Sequence, residues 1–155
     1  MVELIVIMVI IGVLAAFALP RLVSTGETAA IVFHDRVVSG LRLAQKTAVG
    51  HRRLVCVTTS SSALTIRIAS SNGATVCNKS ITGLDDADYA NTDSAVAMTA
   101  TTGLLGATLY FQPNGDITSD GAGATPVSGS FSVQASGVPN PPPAITIDGM
   151  TGYVE

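Results

Sequence analysis

The chain begins Met1-Val2-Glu3 and then runs LIVIMVIIGVLAAFAL from Leu4 to Leu19, closing on Pro20. These sixteen residues contain no polar side chain. As a helix they span about 24 Å, and with Met1 and Val2 they approach the roughly 30 Å of a bilayer core. A segment this apolar cannot rest in water; it belongs in lipid or against other copies of itself. Glu3 is the exception beside it. A carboxylate at the edge of such a run has two roles open to it. It can sit at the helix N-terminus, where the macrodipole favours negative charge, and reach the interface. Alternatively, in side-by-side helices offset by a short axial step, Glu3 of one neutralises the N-terminal ammonium of the next, and neither charge is left unpaired in an apolar medium.

Downstream of Pro20 the pattern becomes amphipathic. Ala30, Phe33, Val37, Leu41, Ala44 and Ala48 recur at spacings of three and four, with Asp35, Arg36, Ser39, Arg42, Gln45 and Lys46 between them. The spacing predicts a helix to Val49, kinked at Pro20, weakened at Gly26 and Gly40, and capped by Gly50. One helix over 1–49 would measure about 74 Å, so its apolar half must protrude from any domain this chain can build.

After Gly50 the period changes. Leu54–Thr59, Ala63–Ala69, Thr75–Asn78, Ala95–Thr101, Thr108–Phe111, Phe131–Ala135 and Ala144–Asp148 read as short strands, the last closing a hairpin with Gly152–Val154 across Asp148-Gly149. Thr82–Asp93 reads as an acidic loop, Pro113-Asn114-Gly115-Asp116 as a turn, Ile117–Ser128 as a flexible loop and Asn140-Pro141-Pro142-Pro143 as a rigid spacer. The expected fold class is α+β: a long N-terminal helix on an antiparallel β-sheet domain of about seven short strands. Residues 1–20 form the apolar half-helix, 21–50 the amphipathic half and 51–155 a β-rich head. Cys56 and Cys77, in the similar settings V-C-V and V-C-N, suggest one disulfide in an oxidising compartment.

The first twenty residues resemble the mature N-terminus of type IV pilins and type II secretion pseudopilins: Glu3 falls on the family's glutamate, Gly12 on its mid-run glycine and Pro20 on its proline. The family has four residues before the glutamate and this chain two, so the chain is taken as a processed or truncated product lacking a methylated Phe. A second resemblance, to H-type pseudopilins and mannose-sensitive hemagglutinin-type minor pilins, rests on Leu41–Ala48 (LRLAQKTA), Arg52-Arg53-Leu54-Val55-Cys56-Val57, the turn Phe111-Gln112-Pro113-Asn114-Gly115 and the ending Thr151-Gly152-Tyr153-Val154. Tyr153 stands where many members have Arg. The resemblance implies a structural subunit of a type IV pilus-like filament, or alternatively a secretion pseudopilin. It also implies filament contacts through residues 1–20, with Glu3 setting register and loss of helicity between Gly12 and Pro20 on packing. The implied partners are copies of itself and other pilins, a prepilin peptidase, an inner-membrane assembly platform and its ATPase. The implied location is the bacterial inner membrane before assembly, then a cell-surface or periplasmic filament.

Composition narrows the chemistry. The chain has a net charge of −3 and mean hydropathy of +0.48, with no Trp. Residues 1–53 carry +3 and the remainder −6. The acidic distal part is a poor nucleic-acid surface. The one basic cluster, Arg42, Lys46, His51, Arg52 and Arg53, fits a solvated helix end; DNA contact by Arg52 and Arg53, as in a related minor pilin group, is the less favoured reading. His34 and His51 lack companions at ligand spacing, and Asp85, Asp86 and Asp88 lack the D-x-D-x-D-G loop of a calcium site. No Ser-His-Asp order, G-x-S-x-G elbow or nucleotide-cradling loop is present. The sequence is therefore read as non-enzymatic, without cofactor or metal.

Overall fold

The computed structural model describes residues 2–22, 25–101 and 103–155, with side chains at 16–25 outside that description. Helix α1 spans Val2–Leu22 and α2 spans Thr25–His51. Whether the helix predicted over 1–49 continues or kinks between them lies outside the described residues. Eight strands follow: β1 Val55–Thr59, β2 Leu64–Ile68, β3 Lys79–Ser80, β4 Val96–Ala100, β5 Thr108–Phe111, β6 Ile117–Thr118, β7 Gly129–Ala135 and β8 Ile145–Ile147. They form two antiparallel sheets, ordered β3-β2-β1-β5-β6 and β4-β7-β8.

Helix α2 is what the sheets share. Its stripe Ala30, Phe33, Val37, Leu41, Ala44 and Ala48 is fully buried, the positions that the helical period places on one side. Against it the first sheet turns Val55, Val57, Leu64, Ile66, Leu109 and Phe111, and the second Val96, Met98, Phe131, Val133 and Ile145. The alternation of a strand explains the rest of β1: Val55 and Val57 face α2, while Cys56 faces away into a small cluster with Leu54, Ala69 and half-buried Cys77 and Tyr110.

Polar contacts close the head. The Arg42 guanidinium donates to the Val154 carbonyl through Nε and Nη2, both at 3.1 Å, and Val154 bridges to Ile147 at the open edge of β8. Arg36 donates to the Ala90 carbonyl at 2.9 Å. Gly40, whose cost to the helix was expected, has a packing reason: a Cβ there would lie 2.9 Å from the Tyr89 ring. Tyr89 ends a short 3-10 helix, and bidentate Arg67–Asp86 contacts of 2.7 and 2.6 Å hold that helix to β2. Asp85 and Asp88 are turned to its backbone in a capping box, which accounts for the acidic trio without a metal.

Four local expectations need correction. Gly50 is not the cap; α2 runs to His51, and Arg52 takes the left-handed conformation, φ 51°, at the position past the helix end. The strand expected at Thr75–Asn78 falls just beyond it, at Lys79–Ser80, because pairing with Arg67 and Ile68 sets it. Gly152–Val154 contributes a single bridge rather than a strand. Ile117–Ser128 is not a flexible loop: Ile117 and Thr118 form β6 and are fully buried. The turn after it is held by Asp120, whose carboxylate accepts from Ala124 N at 3.0 Å and Thr125 N at 2.9 Å.

This packing makes two outcomes measurable. Gly40→Val should destabilise the head by about 1–3 kcal/mol through overpacking, read from urea unfolding, and Tyr89→Ala in the same chain should recover part of that loss. Backbone N–H donors hold the carboxyls of Asp120 and Asp148 below the usual carboxylate range. A carboxyl whose pKa is lowered in the folded state contributes fully above its unfolded value, near pH 4, and loses that contribution as pH falls through the lowered value. Asp120→Ala and Asp148→Ala should therefore lower the urea midpoint at neutral pH, with the difference from the parent chain vanishing in strong acid.

Candidate functional site: the uncovered apolar helix

Every residue from Val2 to Ala15 is exposed. The large aliphatic side chains among them retain from 49% of their surface (Val6) to 76% (Val2). They occupy every rotational position of α1, so beyond Glu3 no turn of this stretch presents a polar face. Withdrawing a large aliphatic side chain from water is worth about 1.5–3 kcal/mol. Covering even part of α1 is therefore worth on the order of 10–30 kcal/mol gross, which exceeds most of the roughly 4–15 kcal/mol that association costs. Nothing among the described residues of the chain covers Val2 to Ala15.

Glu3 lies exposed in the first turn of α1. Gly12 has nothing within 4 Å of where a Cβ would stand, so no contact within this chain requires a glycine there. Pro20 lies inside α1, which continues to Leu22; its side chain is outside the described residues. Among the described residues no helix is long and apolar enough to cross a membrane. Those of α1 with described side chains, residues 2–15, measure about 21 Å against a bilayer core of about 30 Å.

The other sequence candidates are dispersed. Cys56 and Cys77 are joined in a disulfide with Cα atoms 5.9 Å apart, tying the segment after β2 back to β1. The basic cluster divides between two hollows, Arg42 and Lys46 on one and His51 and Arg53 on the other. Arg42 is engaged by Val154, Arg52 is exposed at the helix end, and Arg53 turns half-buried toward β3. There it shares a hollow with Lys79, a residue the sequence reading did not single out. The signal was present in the spacing: Lys79 lies two residues beyond Cys77, so any bridge to Cys56 carries it to the end of α2. Among the described residues, no group of three or more His, Cys, Asp or Glu side chains is placed to hold a metal ion.

A largely apolar, exposed helix followed by an amphipathic one packed on antiparallel sheets is the pilin-like fold. Solved structures bear this out at the level of fold. The type IV minor pilin FimU of Pseudomonas aeruginosa aligns over 85% of this chain and 87% of its own, with a TM-score of 0.57 and 15% identity. GspH of E. coli aligns over 83% of this chain and 87% of its own, with a TM-score of 0.52 and 17% identity. No protein-family model and no curated protein matches the chain.

The disulfide supplies a prediction of its own. With the cysteines 21 positions apart, the double variant Cys56→Ala/Cys77→Ala should lose about 3 kcal/mol of unfolding free energy by loop-closure entropy, measured in urea beside the oxidised parent.

Proposed function

We propose that the chain is a non-catalytic structural subunit of a type IV pilus-like filament that polymerises through α1. The observation that carries this reading is the helix with aliphatic side chains uncovered on all sides, next to a head whose own core is closed. In the filament, α1 helices would pack along a central axis and the heads would form the outer surface. The apolar run in the sequence, Val2 to Leu19 apart from Glu3, would hold the subunit in the inner membrane before assembly. Glu3 would set the axial step between neighbours by pairing with the N-terminal ammonium of the next subunit. Gly12 and Pro20 are the two points of low helix propensity in this run, and between them the helix would loosen as subunits pack.

Energy and processing would come from partners: an assembly platform with its ATPase and a prepilin peptidase. The likeness to GspH favours one second reading, a pseudopilin of a type II secretion system. The polymerisation physics is the same, and the two readings differ in where the filament stands, at the cell surface or in the periplasm.

Glu3→Ala and Glu3→Val should leave a folded subunit that enters the membrane. Their incorporation should fall by about a hundredfold or more, because a buried charge deprived of its partner costs about 3–5 kcal/mol. Sheared filaments and membranes probed for the subunit measure both quantities. Normal incorporation of both variants would remove Glu3 from the register.

A further inference from the structure

A hollow of about 320 Å³ opens where the last turn of α2 meets β2 and β3. Its wall carries three basic side chains from three parts of the chain: His51 from α2, Arg53 from the link to β1, and Lys79 from β3. Thr47, Ser80 and Thr82 add hydroxyl groups, and no carboxylate lines it. Among the described residues the ion pairs are His34–Asp35 and Arg67–Asp86, so neither Arg53 nor Lys79 is neutralised by those residues. The placement stands out because residues 54–155 carry only two basic side chains. One of them, Arg67, is engaged by Asp86, and the other faces this hollow.

The negative end of the α2 dipole accounts for cations at His51 and Arg53. It does not account for Lys79, which belongs to a separate strand two residues beyond the disulfide-bonded Cys77. Like charges gathered around one concavity repel one another unless an anion joins them. The volume lies near the roughly 300 Å³ lower bound of small-ligand sites, too small for a folded partner. Guanidinium, ammonium and hydroxyl donors together suit tetrahedral oxygens that bear more than one negative charge.

We propose that this hollow binds a phosphomonoester group, with Arg53 and Lys79 as its principal donors. The proposal does not depend on the filament reading, and its test involves no assembly. The full chain in an uncharged detergent would be titrated with inorganic phosphate and with glycerol phosphate and followed by heteronuclear NMR, with sodium chloride as the control anion. A parallel arm would use phosphatidylcholine vesicles with and without phosphatidic acid.

The expected result is a saturable shift of the His51, Arg53, Lys79 and Ser80 amide signals that persists in about 0.15 M NaCl, where exposed charges are largely screened. Lys79→Gln and Arg53→Gln should each weaken it about tenfold, the worth of one charge-assisted hydrogen bond, while Arg36→Gln should leave it unchanged. A response to the soluble phosphates assigns a small solute, and one confined to phosphatidic acid assigns a lipid headgroup; both uphold the phosphate site. Chloride producing the same shifts, no saturable response to any probe, or a response indifferent to both hollow variants would overturn it.

Discussion

The constraint on which the rest depends is that α1 has, for its described side chains, Val2 to Ala15, no cover within the chain. Its aliphatic side chains stand exposed at every angle around the axis, and an all-round apolar helix has no orientation in which water is tolerable. A head of this size could have folded over it, but the head's interior is already filled by α2. The molecule therefore has two surfaces suited to two different surroundings. The partition falls between the helical segments Val2–Leu22 and Thr25–His51, and the change in side-chain pattern marks it in the sequence.

Helix α2, unlike the described part of α1, is covered within the chain. One of its sides is buried by both sheets at once, so two sheets without a common edge are held in one core. Its flanks then reach outward to the loops. Arg36 holds Ala90 and Arg42 holds Val154, and Gly40 makes room for Tyr89 between them. Each of these two donors meets a backbone carbonyl, and among the described residues no buried side-chain nitrogen or oxygen lacks a hydrogen-bond partner.

Much of this was legible in the sequence because period is a local property. The buried stripe from Ala30 to Ala48 follows from helical spacing, and β1, β2, β4, β5, β7 and β8 follow from runs of alternating or β-branched residues. What was not legible is decided by contacts distant in sequence. β3 and β6 have two residues each, too few to show a period, and exist because a neighbouring strand accepts them. The loop after β6 is rich in Gly and Ser and reads as mobile, yet one carboxylate, Asp120, orders it. Arg52 rather than Gly50 ends α2 because the chain turns only after His51, and composition does not mark that point. For α1 the sequence showed the need for cover and which residues share it. Glu3, Gly12 and Pro20 stand out by residue type alone, since an isolated chain provides no neighbour for them to touch. Lys79 was overlooked because its position depends on the bridge between Cys56 and Cys77.

The bond between Arg42 and Val154 joins residues 112 positions apart. Contacts this distant form late, because a long loop must close before they contribute. The core of the head receives Val154 and the strand it borders only after nearly the whole polypeptide has been made. Helix α1 is made before any strand of the head. Chain growth thus orders the events: both helices are made before the sheets that enclose α2, and tertiary closure waits for Val154.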